Sequence, residues 1–61
     1  MLIKITSCKE SSLWYNSHLN EIYKVHRIEP DRVWVREPNE WQCLNFVLNE
    51  DFVNIPYTKN P

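Results

Sequence analysis

The side chains that could carry chemistry in this sequence are two cysteines, two histidines and a few neighbouring carboxylates. Cys8 and Cys43 are the candidate nucleophiles. A catalytic cysteine needs a base within hydrogen-bond reach and a third group to orient that base. His18 falls in a polar loop and His26 on a strand, and no spacing ties either to a cysteine. The same four residues could ligate a metal, but no C-x-x-C or H-x-x-x-H pairing sets a ligand geometry, so no metal site is read. Glu50-Asp51, and Glu37 with Glu40, are paired acids. Acids beside a helical turn are more often dipole partners than catalytic pairs. The chain has no glycine, hence no glycine-rich phosphate loop. The expectation is a protein that is not an enzyme and holds no cofactor.

The aromatic and basic residues carry a stronger signal. Tryptophan, tyrosine and arginine dominate the energetics of protein interfaces. Trp34, Arg36 and Trp41 lie close together in sequence, with Lys24, His26 and Arg27 on the preceding strand. Trp14 and Tyr15 form an aromatic island in the polar loop from Ser7 to Asn20. A loop that long in a small domain usually has a purpose, either to close one end of the core or to bind. These eight residues are the candidate partner-binding set.

Size limits what else the chain can do. It has 61 residues, and a domain of this length buries only about 60% of the surface its unfolded chain exposes. Nearly every large apolar side chain is needed for the core, which leaves little room for a catalytic cleft. Net charge is −1, from seven basic and eight acidic residues. That gives no overall basic excess of the kind that drives non-specific nucleic-acid binding. A local basic cluster forms only if Lys24, His26, Arg27 and Arg36 fall on adjacent strands. No apolar run of about 18 residues exists, so no membrane span is read. The opening MLIKITSCKE lacks a signal peptide's apolar core, which gives the expectation of a cytoplasmic protein with reduced thiols.

The elements that must position these residues are short strands. Leu2–Thr6, Glu21–Ile28, Val33–Arg36, Trp41–Leu48 and Val53–Ile55 read as strands from their β-branched and aromatic content. Glu29–Arg32 and Glu37–Glu40 read as turns, each with a proline presetting the backbone. Asn49–Phe52 reads as one helical turn, with Asn49 as its N-cap. Seven asparagines are present, and asparagine is the next-best residue for left-handed positions, so the turns are expected to be built with Asn, Asp and Pro. Five strands at this spacing predict an all-β fold, a small five-stranded barrel with a long first loop and a single helical turn before the last strand. Residues 1–56 form the domain and 57–61 a frayed tail.

Hairpin register decides which side chains share a face. With Pro38-Asn39 at the tip of the second hairpin, Arg36 faces Trp41, Trp34 faces Cys43 and Val33 faces Leu44. Trp34, Arg36 and Trp41 then leave the core face together. A three-residue first loop, Glu29–Asp31, sets Val25 opposite Val35; an even loop sets His26 there instead. The consistent core favours the odd loop. The expected core is Ile3, Ile5, Tyr23, Val25, Val33, Val35, Leu44, Phe46, Phe52, Val53 and Ile55, with Trp14 plugging one end.

With the strands placed, the chain resembles small SH3-like β-barrel proteins encoded by bacteriophages and prophages. The carrying residues are Trp14-Tyr15, Glu21–Val25, Val33–Arg36, Asn45–Leu48 and Asn49–Phe52. They match an aromatic loop, a G-E-x-Y-x-V strand, a Y-x-V strand and an acidic-aromatic turn before the last strand. Asn20 departs from the pattern, standing where glycine is usual. The resemblance implies an accessory protein of a phage in a bacterial host cell, which binds and modulates or inhibits a host or defence protein. A nucleic-acid-binding barrel is the alternative, with aromatics stacking on bases and cations on phosphates. A homodimer through the Trp34/Trp41 face is a third way to cover the patch.

Overall fold

The computed structural model describes residues 1–56, and the fold is all-β. Strands β1 (Leu2–Ile5), β2 (Ile22–Ile28), β3 (Arg32–Arg36), β4 (Leu44–Leu48) and β5 (Phe52–Ile55) form one antiparallel, barrel-like sheet in the order β4-β3-β2-β1-β5. Two single-turn 3-10 helices interrupt the loops: η1 (Trp14–Ser17) in the long first loop and η2 (Asn49–Asp51) before β5. The η2 turn stands where one helical turn was expected, but its N-cap is Leu48. The Asn49 side chain instead donates to the Pro30 carbonyl, pinning η2 to the first hairpin. The tail expected over residues 57–61 lies outside the described residues.

Strand β2 is shared by both halves of the sheet. Its first half pairs with β1, Tyr23 opposite Ile3, and its second half pairs with β3. Between Val25 and Arg27 the register shifts by a bulge at His26. A bulge bends a strand and raises its twist, which lets one strand serve two sheet halves. This bulge also decides the first hairpin. Val25 faces Val35 as expected, but the turn itself is even: Ile28 faces Val33, and the Glu29 amide donates to the Arg32 carbonyl at 2.8 Å. The extra residue sits mid-strand at His26, not in the loop.

The second hairpin departs from the sequence reading. Arg36 faces Leu44, Val35 faces Asn45, Trp34 faces Phe46 and Val33 faces Val47. The connection runs from Glu37 to Cys43 and is closed by the Glu37 amide on the Cys43 carbonyl, 2.8 Å. Inside it, the Gln42 amide donates to both the backbone and side-chain oxygens of Asn39. Gln42, not Asn39, takes the left-handed backbone, with φ at 48°. The register is therefore displaced by an odd number of residues, which reverses the faces of β4. Trp41 lies in the loop, not on the strand, and Leu44 and Phe46 turn away from the core.

The buried core is Ile3, Ile5, Tyr15, Tyr23, Val33, Val35 and Val47, with Val25, Phe52, Leu13 and Trp14 packed against it. Each large aliphatic or aromatic side chain removed from water stabilises by about 1.5–3 kcal/mol. Four expected core residues are not in it. Leu44 and Val53 are 43% and 49% exposed, and Phe46 and Ile55 are half-buried. Val47 fills the place expected for Phe46. Trp14 plugs one end as expected, its ring edge-on to Tyr15 at 5.5 Å and to Tyr23 at 5.7 Å. Asn20 carries the left-handed backbone where the resemblance has glycine, with φ at 71°, and its amide donates to the Ile5 carbonyl at 2.7 Å.

A single buried acid ties the loops to this core. Asp51 is 2% exposed. Its carboxylate accepts from the Tyr15 hydroxyl at 2.5 Å, the Ser7 hydroxyl at 2.9 Å and the Lys9 amide at 3.2 Å. Its backbone carbonyl accepts from Thr6 and Ser7. Burial pushes the carboxyl pKa up, but the bonds from Tyr15, Lys9 and Ser7 together outweigh it and hold Asp51 below the usual carboxylate value. A depressed folded-state pKa contributes stability that is present above the unfolded value and lost as pH falls through the folded one. We expect Asp51→Asn to cost about 1–3 kcal/mol at neutral pH. Urea unfolding of wild type and variant at pH 7 and at about pH 3 checks this, and the gap between them should narrow at the lower pH.

Candidate docking face

The face of the sheet opposite the core carries the candidate site. On β2, alternation turns Ile22 and Lys24 outward, and the bulge leaves His26 and Arg27 both exposed. On β3, Arg32, Trp34 and Arg36 alternate with the buried Val33 and Val35. On β4, the shifted register adds Leu44 and Phe46, which sequence reasoning assigned to the core. The conditional basic cluster is thus realised: Lys24, His26, Arg27 and Arg36 lie on adjacent strands.

Charge is sorted by element. Lys4, Lys24, Arg27, Arg32 and Arg36, five of the seven basic residues, sit on strands together with His26. All eight acids lie off the strands, in loops or in η2. A chain of net charge −1 thereby presents a sheet face rich in basic side chains. Glu29 and Asp31 of the first turn pair with Arg27 and Arg32, which leaves Lys24 and Arg36 as its cations without an ion-pair partner among the described residues. Such local charge steers oppositely charged partners.

The two aromatics on this face are pinned and covered. Trp34 and Phe46 meet edge-to-face across the β3–β4 pair, ring centres 6.0 Å apart. The Arg27 guanidinium lies over the Trp34 ring at 5.7 Å, and Arg32 lies over Phe46 at 4.7 Å. The Trp34 indole N–H donates to Glu29 at 2.8 Å, and Glu29 also pairs with Arg27. The indole bond first, then Arg27, holds the Glu29 carboxyl below its usual value. Arg32 pairs with Asp31 at 2.9 Å. Arg36 donates to the Gln42 carbonyl at 3.0 Å, tying the end of β3 to the loop that carries Trp41.

The expected site residues therefore divide. Lys24, His26, Arg27, Trp34 and Arg36 share the outer face, and Trp41 is 77% exposed on the adjoining loop. Trp41 does not stand opposite Arg36, nor Cys43 opposite Trp34, as expected; Leu44 and Phe46 take those places. Tyr15 is fully buried with its hydroxyl on Asp51, so it belongs to the core and not to a binding surface. Trp14 is half-buried, its indole N–H donating to the Phe46 carbonyl at 2.6 Å. Phe46, Leu44 and Arg32 were missed. The signal that could have found Phe46 is the aromatic pair itself, since an aromatic facing an aromatic is a favoured cross-strand match.

Among the described residues neither candidate nucleophile is hydrogen-bonded to a histidine or a carboxylate. Cys8 and Cys43 are free thiols, and the Cys8 thiol donates to the Glu10 carbonyl at 3.0 Å. Burial, then the nearby Asp51 charge, pushes the Cys8 thiol up, away from the reactive thiolate. His18 pairs with Glu21 at 3.0 Å. Among the described residues no three His, Cys, Asp or Glu side chains come together as a metal site, and no helix is long and apolar enough to cross a membrane.

No protein family, curated protein or solved structure matches this chain.

The two tryptophans should separate cleanly in stability. Trp34→Ala removes an aromatic pair and a cation–π contact, for an expected loss of about 1–3 kcal/mol. Trp41→Ala, at an exposed loop position, should change stability by no more than about 0.5 kcal/mol. Chemical denaturation of the two variants checks both values.

Proposed function

We propose that the chain is a protein-binding module whose cationic, aromatic sheet face docks on an acidic surface of a partner and occludes it. The observation that carries this reading is the sorting of charge, with the strand residues basic and every acid confined to loops and η2. Trp41 supports it, because a bare tryptophan beside an arginine is the usual composition of an interface hot spot. Scale supports it too. Half-exposed Leu44 and exposed Ile22 flank the cations, giving the face an apolar component that a purely electrostatic surface lacks. The resemblance to phage-encoded barrels extends the proposal: the partner is a host or defence protein, and binding modulates or inhibits it.

The nucleic-acid alternative is weaker on geometry. Single-stranded binding uses bare aromatic faces on which bases stack. Trp34 and Phe46 each have a guanidinium over the ring, and those two arginines already have acidic partners in Glu29 and Asp31, which leaves the exposed Trp41 ring, on the adjoining loop and not on the strands, for stacking.

An affinity capture from nuclease-treated bacterial lysate tests the reading, with wild type and a Lys24→Glu, Arg36→Glu variant as baits. Both substituted side chains are exposed, so the variant should keep its fold, which circular dichroism checks. The expected result is a protein retained by wild type and lost from the charge-reversed bait. Identical recovery by both baits, or recovery of nuclease-sensitive material alone, would sink the proposal.

A further inference from the structure

Two hollows lie on the docking face, one reaching Arg36 of β3 and the other reaching Trp34. The larger, about 380 Å³, is lined by Ile22, Lys24, His26 and Arg36 together with the Tyr23 and Val25 stretch of β2. The smaller, about 160 Å³, is lined by Arg27, Trp34 and Leu44. No acidic residue lines either one.

We infer that the face recognises an extended partner segment carrying a large apolar side chain and, two residues away, a carboxylate. The inference rests on the protein-binding reading above and names the chemistry of the partner. The larger hollow supplies the carboxylate site. Among the described residues Lys24 and Arg36 have no ion-pair partner, whereas Arg27, Arg32 and Lys9 each have one. Arg36 spends one donor on the Gln42 carbonyl, which fixes its position and leaves the rest of a five-donor fork for an incoming anion. A carboxylate meeting Arg36 and Lys24 gains charge-assisted hydrogen bonds, roughly twice as strong as neutral ones.

The smaller hollow supplies the apolar site. Its walls are the Trp34 ring, Leu44 and Arg27, whose guanidinium lies over the ring, and the ring is held in place by the indole bond to Glu29 and by Phe46 edge-on. The hollow is open to solvent, and it offers a single large apolar side chain the Trp34 ring and Leu44 to pack against. Spacing joins the two sites. Trp34 and Arg36 are alternate residues on one face of β3, about 6.6–6.8 Å apart along the strand. Alternate side chains of an extended segment have that same separation. A phosphate backbone would satisfy the cationic hollow and leave the apolar one empty, which is why the charge complement is read as an acidic protein segment.

The test is an amide and indole NMR titration with four octapeptides that differ only at the two positions: Leu-x-Glu, Leu-x-Gln, Ala-x-Glu and Leu-x-Lys, with a short oligothymidine as a fifth probe. The Leu-x-Glu peptide should shift the Trp34 indole and the Arg36 and Lys24 amides, and bind at least about tenfold (1.4 kcal/mol) more tightly than the Gln or Ala peptide. The Lys24→Glu, Arg36→Glu variant should lose that preference and favour Leu-x-Lys. Equal binding of the Glu and Gln peptides, no binding of any peptide, or tighter binding of the oligothymidine overturns the inference. Peptides that fail to discriminate beside a face-dependent lysate partner would overturn this inference alone. Clean discrimination with a lysate partner indifferent to the face would overturn the functional reading instead.

Discussion

The Asp51 carboxylate is the constraint on which the rest of the structure leans. A chain this short has little core to spare, and no disulfide joins its cysteines. Burying a charge without partners is costly, so Asp51 is tolerable only while Ser7, Lys9 and Tyr15 all converge on it. That demand works in both directions. It draws the start of the first loop onto η2, and it draws Tyr15 into the core. The Tyr15 hydroxyl donates to Asp51 and also accepts from the Leu48 amide. One polar chain therefore runs from the first loop through η1 to the outer edge of β4.

That edge needs covering. Strand β4 ends one side of the sheet, and an unpaired edge invites pairing with other chains. The Trp14 indole takes the Phe46 carbonyl and the Tyr15 hydroxyl takes the Leu48 amide. The long first loop is thus a seal, and its aromatic pair serves the fold before it serves any partner. With the edge closed by η1 and the two sheet halves joined through the β2 bulge, the core draws on β1 to β4 and η1. What remains outward is the cationic face with its arginine-covered rings. Its composition follows from the fold, because the strands offer their inner positions to aliphatics and have only outer positions left for charge.

Much of this was legible in the residues, and the failures have particular causes. The β-branched runs around Ile3, Val25 and Val33 mark strands plainly, and the missing glycine at Asn20 pointed correctly to a left-handed turn. Pairing Val25 with Val35 followed from the demand for a single core, although a bulge achieves it and not the loop, and no local signal in Lys24-Val25-His26-Arg27 marks a bulge. The β3–β4 register was misread because Pro38-Asn39 looks like the tip of a tight hairpin. The actual loop is longer and is capped through Asn39 onto Gln42, a bond that sequence spacing does not announce. An odd displacement then moved Phe46 out and Val47 in. Asp51 was hidden for a different reason: next to Glu50 it reads as one of two dipole partners at a helical turn, and only the fold brings Ser7 and Tyr15 to it.

The central claim is that the face offered to a partner is the one built by pairing Trp34 with Phe46. The edge contacts of Phe46 and Leu48 with η1 make Trp34 and Phe46 a non-hydrogen-bonded antiparallel pair, with α-carbons about 4.5 Å apart. An NMR measurement of contacts between α-protons across β3 and β4 tests this most directly. A strong Trp34–Phe46 contact and a second between Arg36 and Leu44 are expected. A Trp34–Cys43 contact in their place would put Phe46 back in the core and contradict the face described.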